Sequence, residues 1–148
     1  MDSKYIKFYD PDGPMGWLAN FSSHSFLLNG RVWPTVEHFY QAQKFSNSPL
    51  GDLIYLSPHP SQAKQLAKEF RPLRNHFWND IKEHVMFQGI EAKYTQNFEL
   101  GLLLVSTGNL EIIEDSETDY YWGCGRDKTG LNRMGKLLMA LREKLISQ

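Results

Sequence analysis

A single cysteine, Cys124, stands among 148 residues. It has no partner for an internal disulfide, which excludes a disulfide framework and points to a reducing, cytoplasmic compartment. No CxxC or paired His/Cys spacing is present, so no metal is expected. Long apolar runs are missing too. The longest aliphatic stretch, Leu100 to Val105, is far too short to cross a bilayer, and the N-terminal MDSKYIKFYD lacks a basic segment followed by an apolar run. A soluble protein without a membrane partner is the expectation. Charge of one sign is also lacking: the formal net charge is -1, so no global field would hold a polyanion, and no stable nucleic-acid complex is expected. Neither a Walker nor a Rossmann glycine motif occurs, and strands and helices do not alternate regularly. Both absences argue against nucleoside triphosphates and dinucleotide cofactors, and no cofactor is expected. Internal repeats, low-complexity linkers and heptads are absent as well.

What the chain has is aromatic residues: 4 Trp, 7 Tyr and 9 Phe. Trp17, Tyr120, Tyr121 and Trp122 sit beside glycine or polar residues, where rings can floor a flat ligand. The length suits one domain, residues 1–148. Residues 5–8 read as a short strand and 10–16 as a loop. Ser25 to Leu28, Asn29-Gly30 and Arg31 to Trp33 form a hairpin in outline, because Asn-Gly supplies the positive φ angles of a two-residue turn. Thr35 caps the helix that follows. SNSPLGD is read as a break after Phe45, followed by a short apolar turn, Leu53 to Leu56. Further helices are expected at Gln62 to Phe70, Asn75 to Lys93, Phe98 to Val105 and Asn132 to Leu145, with a returning strand at Leu110 to Ile113. In the helix expected from Asn75 to Lys93, Phe77, Ile81, Val85, Met86 and Ile90 make the buried stripe and Trp78 lies off its centre. The fold class is a mostly helical α+β single domain with a small antiparallel sheet.

Two stretches carry candidate chemistry. In WPTVEHFYQAQKF, Glu37, Gln41 and Lys44 fall at i, i+4 and i+7, so an acid, an amide and an amine share one helical face. Spacing alone fits a solvated face with a weak Glu-to-Lys relay as well as a pocket wall. In DYYWGCGRDKTGLNRMG, glycines combine with Trp122, Asp127 and Asn132, a composition that suits a ligand loop and equally a connector anchored by its tryptophan. Cys124 has no histidine at a known local spacing and receives no catalytic role. Arg71 and Arg74 with Lys68 make a basic cluster able to receive one phosphate or simply a solvated helix end.

Taken in order, GWLANFSSHSF, GRVWPTVEHFYQAQKF, SQAKQLAKEFRPLRNHFW, VMFQGIEAKYTQN, LLLVSTGN and YWGCGRDKTGLNRMGKLLMALRE resemble the YbiA-like family, also called NADAR, along nearly the whole chain. The glutamate-containing helix together with the WGxGxDxxGxN loop is the specific signature. The resemblance implies a YbiA-like fold and an N-glycosidase that cleaves the bond between a ribose C1 and a nitrogen. Its substrate would be a small ribosylaminopyrimidine 5′-phosphate of early riboflavin synthesis, or ADP-ribose attached to guanine. A module that binds ADP-ribose or NAD without cleaving it is the rival from another class. In the enzyme reading, Glu37 or Asp127 faces the developing oxocarbenium ion. Lys44 either attacks C1 as a neutral amine or holds an anion as a cation. Trp78 and Trp122 stack on the departing base or shape its slot, Asn20 and Asn132 read ribose or base edges, and Arg71 or Lys64 takes the phosphate. Gln41 lies between the acid and the amine as a positioning group.

Overall fold

The computed structural model describes residues 4–148, so the first three residues of MDSKYIKFYD lie outside the described residues. Its elements are β1 (Tyr5–Phe8), β2 (Phe26–Leu28), β3 (Arg31–Trp33), α1 (Val36–Gln43), α2 (Pro49–Leu56), α3 (Pro60–Glu69), α4 (Trp78–Gln96), α5 (Phe98–Ser106), β4 (Glu111–Glu114) and α6 (Arg133–Ile146). The chain folds into two compact units, Met1–Ser22 with Asn97–Gln148, and Ser23–Gln96. The fold class is the mostly helical α+β one that the sequence indicates.

Within Ser23–Gln96, α1 is the centre. It packs against α2, α3, α4 and β3, and every residue from Val36 to Ala42 is buried. The hairpin that delivers it turns at Asn29 (φ 54°) and Gly30 (φ 78°), the paired positive angles its Asn-Gly sequence requires. Trp33, at the end of β3, sets its ring edge-on to Phe39 at 5.3 Å, and Phe26 meets Phe39 from the other strand at 6.2 Å. The long helix α4 reaches α1 closely because of Gly89: a Cβ there would sit 3.1 Å from the Phe39 ring. A pocket of about 300 Å³ is lined by Arg31, Trp33, Gln43, Ser48 and Asp52 among others. None of the predicted site residues lines it.

Within the other unit, β1 and β4 pair in parallel, from Tyr5 opposite Glu111 to Phe8 opposite Glu114. Helix α6 packs on β4 and α5, and Leu104, Ile112, Met134, Leu138 and Leu141 are fully buried there. Arg142 is buried among them and donates to Thr107 Oγ1 and to the Leu110 carbonyl at 2.9 and 2.8 Å. Asn132 joins strand to helix. Its Oδ1 accepts from the Glu114 amide and its Nδ2 donates to the Ile112 carbonyl, both at 2.9 Å.

Several expectations need correction. The sheet is two separate pairs, one antiparallel and one parallel. The stretch read as a break and an apolar turn is the helix α2, because Ser48 Oγ accepts from the Leu50 amide and Pro49 takes the first helical position, where a missing N–H costs nothing. Phe77 is 69% exposed and Trp78 only 2%. The reason is local: Asn75 Oδ1 accepts from the Phe77 amide in a turn, and α4 begins only at Trp78, so the buried stripe starts one residue later than the spacing implies. Among the described residues no helix is long and apolar enough to cross a membrane.

Lys93 of α4 is 1% exposed, and burial pushes its amine down to about 7. Between pH 7 and 10 the unfolded chain therefore holds a proton that the folded chain has released, and stability rises with pH. Tyr94, whose phenol burial pushes up, reverses the trend above pH 10. Calorimetry should show the melting temperature rising by about 3 °C or more from pH 7 to pH 10. A flat profile would place the Lys93 ammonium in water. Separately, Asn132→Ala strands two buried backbone groups and puts alanine at φ 50°. Urea unfolding should show a loss of about 2–4 kcal/mol, of which Asn132→Gly recovers only the backbone part.

Candidate functional site

Thr35 starts the site. Its Oγ1 accepts from the His38 amide at 3.0 Å and donates to His38 Nδ1 at 2.8 Å, while His38 Nε2 donates to the Ser57 carbonyl at 2.9 Å. A carbonyl can only accept, so the ring is the neutral tautomer with its proton on Nε2. Burial, the largest cause, lowers its pKa. His38 is thus a clamp between the start of α1 and the end of α2.

On the same helix Glu37 and Gln41 are 7% and 5% exposed. The polar row is buried, which decides against a solvated face. Gln41 Nε2 donates to Glu37 Oε1 at 2.8 Å, as an i, i+4 pair on a helix can. The Gln41 Oε1 atom is buried and has no hydrogen-bond partner among the described residues.

Lys44 closes the helix as its C-cap. Its Nζ lies 5.3 Å from the centre of the Tyr40 ring and 5.7 Å from that of Trp78, and those two rings pack edge-on at 5.1 Å. The Lys44 carbonyl accepts from the Asn75 amide at 2.9 Å, which ties the approach to α4 onto the end of α1. Burial lowers the amine to about 8; Glu37 works against that shift, and the charges of Arg74, Arg71 and Lys82 add to it. The result is an amine that titrates near neutrality in a field of other cations, with an acid on its own helix.

The structure therefore brings together Glu37, Gln41, Lys44 and Trp78, with Arg71 among the surrounding charges. It gives some of them other duties than expected. Trp78, at 2% exposed, has no open face for a base; it walls the amine instead. Lys64 is exposed on α3 and is not among the charges that act on Lys44. Arg74 and Lys82 are; the basic cluster read from the sequence included Arg74, whereas Lys82 was not singled out. Lys82 could have been found, since it follows Trp78 by one helical turn.

The remaining candidates belong to the other unit. Trp122 is half-buried, edge-on to Tyr121 at 5.0 Å. Asp119 Oδ1 accepts from the amides of Tyr121 and Trp122 at 2.9 and 2.8 Å. The carbonyls of those two residues in turn accept from the Arg133 and Met134 amides at 2.9 and 3.0 Å, so the loop satisfies the first turn of α6. It is a folded cap for that helix, not a loose connector. Asp127 is exposed, and its carboxylate accepts from the Thr129 amide at 3.1 Å and hydroxyl at 2.7 Å. Those bonds, the hydroxyl first, hold its pKa below the ordinary carboxylate value. Asn132 uses both ends of its side chain to hold β4. Asn20 Nδ2 points to Met134 Sδ at 3.4 Å. Cys124 is buried, its thiol 3.6 Å from Asp115 Oδ1.

A family model described as the NADAR domain matches residues 7–146. The N-glycosidase YbiA of Escherichia coli is 38% identical over 98% of this chain and 91% of its own length. An N-glycosidase of Nostoc punctiforme is also 38% identical, over 95% of this chain and 92% of its own. A riboflavin biosynthesis protein of Vibrio vulnificus is 40% identical over 95% of this chain, which spans only 38% of that longer protein. The NMR structure of E. coli YbiA superposes with a TM-score of 0.90 at 34% identity, covering 99% of this chain and 88% of that one. The family model spans nearly the whole chain and relatives at 38% identity cover most of both lengths, so the chain belongs to the NADAR domain family.

Proposed function

We propose that this chain is an N-glycosidase that hydrolyses the bond between ribose C1 and nitrogen in ribosylaminopyrimidine 5′-phosphates, releasing ribose 5-phosphate and the free base. The observation that carries the reading is the polar row on α1: a buried carboxylate and, two turns on, a half-buried amine whose pKa falls to about 8. Relatives named N-glycosidase and riboflavin biosynthesis protein support the reaction and the substrate class.

The chemistry follows from the groups present. The Glu37 carboxylate stabilises positive charge as it develops at C1. Lys44, neutral in part near pH 7, attacks C1 with its lone pair. The C1–N bond breaks, and the base leaves with the bonding pair and gains a proton. The new amine–sugar bond opens the ring to a Schiff base, and water then adds to release ribose 5-phosphate and regenerate the amine. Arg71, Arg74 and Lys82 supply positive charge for the phosphate, and the same field adds to the burial that lowers the Lys44 amine to about 8.

ADP-ribose on guanine, whose diphosphate carries about the same charge as a phosphate monoester, would meet the same three cations. Both readings assign Glu37 and Lys44 the same work.

The purified protein incubated separately with the ribosylaminopyrimidine phosphates, NAD, ADP-ribose and ADP-ribosylated guanine, with release of base followed by mass spectrometry, tests the function. Glu37→Gln should lower kcat on the cleaved substrate by about 10²–10³. Near-normal release would remove Glu37 from the chemistry, and ligand affinity unchanged by Glu37→Gln with no product from any substrate would make the chain a binding module. The Lys44 route has its own test. Borohydride added during turnover should fix a sugar on Lys44, and kcat/KM should climb with pH and level off above about 8, because only the neutral amine attacks. An unmodified Lys44 in a working enzyme would exclude the Schiff base.

A further inference from the structure

Gln41 is the middle of the buried row, and half of its amide is unused. Nε2 donates to Glu37 Oε1 at 2.8 Å. The opposite flip would set the amide oxygen against a carboxylate oxygen, so this bond fixes which end is which. Oε1 is left buried in a residue 5% exposed, with no hydrogen-bond partner among the described residues. A buried acceptor without a donor is costly, and methionine or leucine would fill the same space without that cost. An amide retained there has a second donor to meet, and a ligand can bring one.

The chemistry of the site limits which donor it is. Glu37 is the group placed against C1, and the Gln41 oxygen lies one amide group away from the Glu37 carboxylate. On a ribose the hydroxyl one bond away from C1 is the 2-hydroxyl. Nitrogen donors of the base lie on the leaving side of the C1–N bond, away from the acid. We propose that Gln41 Oε1 accepts a hydrogen bond from the ribose 2-hydroxyl and makes this site select ribosyl over 2-deoxyribosyl substrates. The contact tightens as C1 becomes cationic, because the neighbouring hydroxyl then becomes a stronger donor. The same side chain holds Glu37 through Nε2, so a single residue couples placement of the acid to recognition of the sugar.

This inference rests on the N-glycosidase reading, and the test separates the two. The kcat/KM values for a ribosylaminopyrimidine 5′-phosphate and its 2-deoxyribosyl counterpart are measured in the wild type, Gln41→Met and Gln41→Glu. Deoxyribosides are intrinsically more labile, so the quantity of interest is the change in the ratio between enzymes, in which lability cancels. Gln41→Met should shift the ribosyl-to-deoxyribosyl ratio by about tenfold toward the deoxy substrate, beyond any loss common to both from a misplaced Glu37. Gln41→Glu, which keeps an acceptor of the same reach but sets a carboxyl against Glu37 in place of the donating amide, should lower kcat/KM for both substrates and retain the wild-type ratio between them. Binding of ribose 5-phosphate and 2-deoxyribose 5-phosphate by calorimetry supplies the same comparison without turnover, and wild type should favour the former. Ratios equal within twofold in wild type and Gln41→Met, in rate and in binding, would overturn the inference and leave Gln41 as a support for Glu37 alone. A wild type that binds both sugars with that preference yet releases no base would overturn the reaction and keep the contact.

Discussion

The burial of α1 is the constraint on which its unit depends. An eight-residue helix too short to persist alone is held because its neighbours cover it on all sides, and a helix so covered must satisfy its own polar side chains. Thr35 and His38 do so with each other and with Ser57. Glu37 and Gln41 do so in part with each other. What is left over, an acceptor on Gln41 and an amine on Lys44, is what a substrate can use. The packing that makes the helix possible also removes the water that would level its acid and its amine.

The other unit solves a different problem by similar means. A parallel pair of four-residue strands offers little cohesion by itself. Asn132, held at φ 50°, joins that pair to α6 with both ends of its amide. The aromatic loop then fills the unpaired first turn of the helix with its own carbonyls. Aromatic, glycine and asparagine residues that look like ligand-binding equipment in sequence are here largely consumed in closing a helix end.

Much of this was legible beforehand, and the failures share a cause. The Asn-Gly hairpin, the Thr35 cap and the apolar face of α6 follow from rules that act within a few residues, and all three stand as read. Burial of Glu37 and Gln41 was not legible, because spacing gives the face of a helix and says nothing of what covers it. Trp78 and Phe77 exchanged roles for want of one residue in the start of α4, a boundary fixed by the Asn75 turn. Lys93 passed unnoticed on a helix whose other buried positions are apolar; a lone lysine in such a run was the available signal. Arg74 joins Lys44 through the fold's placement of the α3–α4 connection, which short-range pattern cannot supply.

Lys44 occupies a helix end, and its two sets of duties are separate. The main chain there closes α1 and receives the Asn75 amide, bonds that every residue except proline forms equally well. The side chain alone faces Tyr40 and Trp78. A substitution that keeps a main-chain N–H at this position would therefore change the amine and leave α1 and its tie to the approach of α4 standing, so scaffold and side-chain chemistry can vary independently here.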